Sequence, residues 1–156
     1  MPPIFVMRHG ETTWNVARRI QGSGDAPLTP RGRAQVRALQ PLIRRVLRDH
    51  PDLRVRVSPQ GRARHSWDLA IEGWDAAPDA KVDPRLAEVD MGAFRGLTHA
   101  DIAARWPDLY AAHPQTFDLS LATPGGERFD DLMARIAALL ADVTQPTLFI
   151  THGITS

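Results

Sequence analysis

Cysteine is absent from the 156 residues, which excludes disulfides, thiol nucleophiles and cysteine-ligated metal. No apolar run approaches the ~20 residues needed to span a bilayer, and no charged-then-apolar leader precedes the first apolar segment. A cytoplasmic protein with no membrane partner is therefore the expectation. Lysine is nearly absent as well: Lys81 is the sole lysine among 19 basic residues, set against 18 acidic ones. The resulting net charge of +1 gives no electrostatic case for a nucleic-acid partner. It also means that guanidinium groups do the ordinary surface work, so one arginine alone says little about a site. Internal repeats, low-complexity tracts and long linkers are missing too, and residues 1–156 are read as one domain. A chain of this length buries about two-thirds of its unfolded surface on folding. Its 43% apolar and 24% charged content suits a globular domain.

What is present is an alternation of short apolar runs with helical patterns. Ile4 to Met7 is a short apolar run of the kind that forms a buried parallel strand, and Arg8-His9-Gly10 interrupts it. Trp14 to Ile20 has brief helical character, and Gln21-Gly22-Ser23-Gly24-Asp25 reads as a loop. Thr29-Pro30 starts a helix with a capping hydroxyl and a proline at its first position. That helix is predicted to run to Asp49, because Val36, Leu39, Ile43, Val46 and Leu47 form one stripe. Arg37, Arg44, Arg45 and Arg48 mostly fall off the stripe and read as a solvated face. Leu53 to Val57 alternates as a second strand ending at Ser58-Pro59, and a helix is expected from Gln60 to Ile71. Lys81 to Asp83 suggests a short strand, followed by an irregular stretch to Leu97. Thr98 caps a helix to Trp106, and Pro107 opens a short turn. After Pro124-Gly125-Gly126, a helix is predicted from Glu127 to about Val143, with Glu127 in its favourable first turn. Thr147 to Ile150 is the last strand. Strands alternating with helices imply a parallel sheet covered on both faces.

The first and last strands both end in histidine and glycine, as Arg8-His9-Gly10 and Thr151-His152-Gly153. In a parallel sheet the carboxyl ends of central strands share one crevice, where ligands bind. If both strands are central, His9 and His152 face each other there, with Arg8 beside them. The second strand brings Ser58 to the same edge, and Arg62 follows in the first turn of its helix. Guanidinium matches a phosphate's oxygens, and neutral imidazole is a nucleophile.

In this order the residues resemble the histidine phosphatase superfamily, the phosphoglycerate-mutase-like enzymes. The resemblance rests on Arg8-His9-Gly10-Glu11-Thr12, Trp14-Asn15, Gln21-Gly22, Pro27-Leu28-Thr29 with Gly32, and Ser58-Pro59 with Arg62-Ala63. It continues through Leu86-Ala87-Glu88 with Gly92, Gly96-Leu97, Pro124-Gly125-Gly126-Glu127 and Thr151-His152-Gly153, spanning nearly the whole chain. It implies a three-layer α/β/α sandwich with a mostly parallel central sheet. It also implies a phosphoric monoester hydrolase that needs neither metal nor cofactor. His9 would be the nucleophile and would form a phosphohistidine, with its other ring nitrogen donating to a backbone carbonyl. Arg8, Arg62 and His152 would hold the phosphoryl oxygens. Asn15, the Gln21-Gly22 backbone and Gly153 would border the pocket, and Glu88 would protonate the leaving oxygen and then activate water. Glu11 and Asp90 are weaker candidates for that acid. The implied partner is a small phosphorylated metabolite or free phosphate.

Three features depart from the family's pattern. His65 stands where glutamine is frequent and Gln60 where leucine is frequent, departures expected to affect helix packing more than chemistry. His50, His65, His99 and His113 match no catalytic position and read as surface or structural residues. After His152-Gly153 only three residues follow, where the family has a helix. Either the sequence stops short of the natural terminus, or the fold lacks that C-terminal helix and exposes apolar sheet surface, which would favour aggregation or a homodimer. A compact Met91 to Thr123 segment and the Gln21–Asp25 loop favour a phosphatase over the alternative, a cofactor-dependent phosphoglycerate mutase. A phosphate-binding scaffold without catalysis is the remaining reading.

Overall fold

A computed structural model describes residues 2–113, 118–119 and 122–155. Part of the Met91 to Thr123 segment therefore lies outside the described residues. Among the described residues four strands, β1 (Ile4–Arg8), β2 (Arg54–Val57), β3 (Ala80–Val82) and β4 (Thr147–Thr151), form a parallel sheet in the order β1-β4-β2-β3. Arg8 pairs with Thr151 and Val57 pairs with both Ile150 and Val82, so all four carboxyl ends lie at one edge. Only one of the two histidine-bearing strands is central. β4 is buried along its whole length, whereas β1 stands at the edge of the described sheet. Parallel pairing keeps their carboxyl ends together regardless.

The helices lying wholly within the described residues are α1 (Thr13–Val16), α2 (Pro30–Ala38), α3 (Gln40–Asp49), α4 (Gly61–Ala70), α5 (His99–Arg105), α6 (Pro107–Ala112) and α7 (Phe129–Ala141). Leu148 and Ile150 face one way and pack with Val55, Val57, Val36, Ile43, Ala63 and Trp67, under α2, α3 and α4. Phe149 faces the other way, onto Leu86, Leu139 and Val143 at the end of α7. The alternation along one strand thus feeds two cores and fixes three layers. A smaller cluster, including Met91, Phe94, Ile102 and Leu132, supports the loops beside the sheet edge.

The expected single helix from Thr29 to Asp49 is two helices. Proline at position 41 has no N–H to give the Arg37 carbonyl, and its ring crowds that carbonyl. The first helix accordingly ends at Ala38 with Leu39 as its cap. The irregular stretch before Leu97 contains 3₁₀ turns at Pro84–Leu86 and Gly92–Phe94. Glu127 lies outside α7, whose N-cap is Arg128; its carboxylate instead receives two hydrogen bonds from Arg135. Val6 on β1 is 52% exposed and Leu42 on α3 57% exposed, and both line one groove with Ile4, Leu39 and Val46.

Candidate active site

His9 leaves β1 with its backbone N–H donating to the Thr151 carbonyl, 3.2 Å away, which ties it to the end of β4. Gly10 follows because a Cβ there would collide with the Gly32 carbonyl, so the turn presses directly on the start of α2. The Gly10 N–H donates to Ser66 Oγ at 3.1 Å, and that hydroxyl donates to the Arg62 carbonyl at 2.7 Å. His9 and Arg62 are thereby held by one short chain of bonds. His9 Nδ1 lies 2.8 Å from the Gly10 carbonyl. A carbonyl can only accept, so Nδ1 carries the proton and Nε2 keeps a free lone pair. Burial, with the nearby Arg62 and Arg8 charges, brings the imidazole pKa down to about 4 against the opposing effect of that carbonyl. His9 is neutral at pH 7.

His152 is fully buried, its ring centroid 5.2 Å from that of His9. Its Nε2 lies 2.6 Å from Ser58 Oγ and 3.0 Å from Gln60 Oε1. Ser58 and Gln60 also hydrogen-bond to each other. Burial first, then Arg62 and His9, lowers its pKa to about 2, so it too is neutral. Its Nδ1 is buried without a partner. Arg62, only 2% exposed, gives its two terminal nitrogens to the carbonyls of Gly24 (2.5 Å) and Gly22 (3.0 Å). Its Nε is buried and unpartnered. An N–H donor left bare in the interior costs about 1–3 kcal/mol. The bare Arg62 Nε–H, beside the free Nε2 lone pair of His9, is a donor that a tetrahedral anion would satisfy.

These two buried neutral histidines make a prediction about stability. Each has a folded pKa below the ordinary 6.5, so as pH falls the unfolded chain takes up protons first. Stability is fully present above pH 6.5 and is lost below it. Each histidine is expected to remove roughly 3 kcal/mol by pH 4. Urea unfolding at pH 7 and pH 4 checks this. His9→Gln should lose less than the wild type over the same interval, and equal losses would contradict the assignment.

The remaining predicted residues gather around this centre in different ways. Arg8 is exposed and lines an open hollow with His9, Glu11, Asn15 and Gln35. Gly153 lies beneath the Arg8 guanidinium, where a Cβ would come within 3.3 Å of Cζ. Asn15 and Gln21 are joined through Thr12, whose hydroxyl reaches the side-chain oxygens of both, at 2.9 and 3.0 Å. Gly22 has φ +52, and a Cβ there would sit 2.5 Å from Met91 Cγ; its free carbonyl orients Arg62. Glu88 acts electrostatically on Arg62. Its carboxylate accepts from Ile154 N (3.3 Å), Thr155 N (3.2 Å) and Thr155 Oγ1 (2.8 Å), which ties it to the turn after His152.

Glu11, although it lines the His9 hollow, and Asp90 are both engaged by other partners. Thr29 Oγ1 donates to Glu11 at 2.8 Å, while Asp90 accepts from Ser23, Gly92 N and Arg95. Sequence reasoning missed Asp25. Its carboxylate accepts from the Arg62 backbone N–H at 3.1 Å and lies 3.5 Å from the guanidinium. It thus caps α4, whose own N-cap residue Gln60 makes no capping bond. No spacing in the sequence could reveal a cap supplied from 37 positions away. Gln60, expected to matter for helix packing, has its amide oxygen 3.0 Å from His152 Nε2. Here the signal was available, since an amide standing where leucine is frequent needs a polar partner once buried.

Comparison with known proteins agrees with this geometry. The histidine phosphatase superfamily (branch 1) matches residues 4–155. The Enterobacter sp. protein named "Probable phosphoglycerate mutase GpmB" is 31% identical, over 99% of this chain and 71% of its own length. An Escherichia coli K-12 structure, provisionally named an alpha-ribazole-5'-P phosphatase, superposes with a TM-score of 0.83 at 25% identity. That match covers 97% of this chain and 74% of the other. Bacillus stearothermophilus YhfR gives a TM-score of 0.80 at 30% identity, with coverage of 97% and 74%. With an ordered motif set, an α/β fold and a family match that all run nearly end to end, this chain belongs to the histidine phosphatase superfamily.

Proposed function

We propose that the chain is a metal-independent phosphomonoesterase that acts on a small phosphorylated metabolite through a phosphohistidine. The observation that carries this reading is the state of His9: neutral, with Nδ1 held by a carbonyl and Nε2 free, next to the unpartnered Arg62 Nε–H. Nε2 attacks phosphorus, a P–N bond forms, and the bond to the leaving oxygen breaks. Glu88 supplies the proton that the leaving alkoxide takes up. Water then attacks the phosphohistidine and gives its proton to Glu88, and the P–N bond breaks to release phosphate. Arg8 and Arg62 neutralise the phosphoryl oxygens and, with His152, orient them, which is where most of the catalysis in phosphoryl transfer lies. Asn15, Gln21, Gly22 and Gly153 shape the rim.

The test is para-nitrophenyl phosphate turnover with and without a chelator. Turnover that survives chelation supports the reading, and a folded protein with no turnover on any phosphomonoester supports the scaffold alternative. A relative bearing a mutase name favours a second reading, in which a substrate hydroxyl takes the phosphoryl in place of water. Interconversion of 2- and 3-phosphoglycerate without phosphate release would establish it. The ribazole phosphatase name of one structural relative places its substrate among the phosphomonoesters to screen. Arg62→Ala removes a charged contact worth roughly 1.5–3 kcal/mol. It is expected to lower kcat/KM by at least about tenfold, and an unchanged value would remove Arg62 from the pocket.

A further inference from the structure

The contact between Gln60 and His152 raises a question of protons. Ser58 Oγ, His152 Nε2 and Gln60 Oε1 form a closed triangle of buried polar atoms. All three residues are at most 9% exposed, so water cannot settle their hydrogen bonds. With the amide oxygen inward, Ser58 donates to Gln60 and His152 Nε2–H donates to Ser58. Nδ1 is then a bare lone pair, unable to hold an anionic oxygen. Turning the amide by half a rotation exchanges its oxygen and nitrogen with little movement of heavy atoms. Gln60 then donates to Ser58 Oγ, Ser58 donates to His152 Nε2, and the ring proton moves to Nδ1. The Gln60 backbone N–H, 3.4 Å from Ser58 Oγ, already treats that hydroxyl as an acceptor. In this arrangement the two unpartnered atoms of the site, Arg62 Nε and His152 Nδ1, are both donors. One anion satisfies them together.

We infer that Gln60 turns its amide nitrogen, not its oxygen, toward Ser58, which leaves the Ser58 hydroxyl to donate to His152 Nε2 and so keeps Nδ1–H available to the bound phosphoryl group. The inference rests on the phosphatase reading for its role, though not for its proton arrangement.

Ring nitrogen chemical shifts of histidine-labelled protein, read beside para-nitrophenyl phosphate turnover, test it. In the wild type with inorganic phosphate, His152 is expected as the Nδ1–H tautomer. Gln60→Leu leaves Ser58 free to donate to Nε2, so the tautomer should persist and kcat/KM should fall only a few-fold. Gln60→Glu is closer in shape but can only accept; it draws the Ser58 proton, forces Nε2–H, and strips Nδ1. Losing one donor to the phosphoryl oxygens should lower kcat/KM about 10²-fold. A wild type in the Nε2–H form with phosphate bound overturns the inference. So does a leucine variant as impaired as the glutamate variant, since a packing role predicts no such order. If the tautomers follow this pattern while no phosphomonoester is turned over, the phosphatase reading fails and the proton arrangement stands.

Discussion

Replacing His9 with alanine is expected to reduce kcat by about 10⁵- to 10⁶-fold, the loss seen when a covalent nucleophile is removed. The size of the effect follows from what the side chain supplies. Its Nε2 lone pair belongs to a buried, neutral imidazole whose proton is held on Nδ1, so it needs no neighbouring base. Water bound in its place would lack both the lowered pKa and the fixed direction imposed by the Gly10 carbonyl. The fold should survive, because the backbone bond to Thr151 and the Gly10–Ser66–Arg62 chain do not involve the imidazole. Circular dichroism and urea unfolding would check that. A variant retaining turnover within tenfold of the wild type would mean that another group attacks phosphorus.

The second large effect belongs to Glu88. Glu88→Gln is expected to slow hydrolysis of alkyl phosphates by roughly 10²- to 10⁴-fold, the range for general acid–base help. Para-nitrophenyl phosphate should be affected far less, because nitrophenolate leaves without a proton. Glutamine suits the test structurally. Oε1 accepts from Val89 N, Thr155 N and Thr155 Oγ1, while Oε2 accepts only the 3.3 Å bond from Ile154 N. The amide can keep the first set and sacrifice the weakest contact. Equal losses on both substrates would count against an acid role and in favour of a purely structural one.

Much of this site was legible in the sequence because the fold places strand ends by rule. A short apolar run followed by His-Gly, met twice, is enough to bring His9 and His152 to one edge of a parallel sheet, and the register of Arg8 with Thr151 fulfils that. Arg62 was reachable for the same reason, since it lies one turn into the helix after β2. What the sequence could not convey is how the side chains divide their hydrogen bonds. Arg62 was expected to hold the phosphoryl oxygens, and two of its nitrogens serve the Gly22 and Gly24 carbonyls. Asp25 was invisible because its partner is remote in sequence. The break at Leu39 was missed because hydrophobic spacing continues smoothly through it; only the missing N–H of the proline at 41 gives it away.

The most direct test of the account is the mass of the protein itself, quenched at neutral or alkaline pH within milliseconds of mixing with a phosphomonoester. We expect one added phosphoryl group, labile to acid, on the peptide carrying His9 and absent from His9→Ala. Turnover with no such adduct, or an adduct carried by another residue, would contradict it.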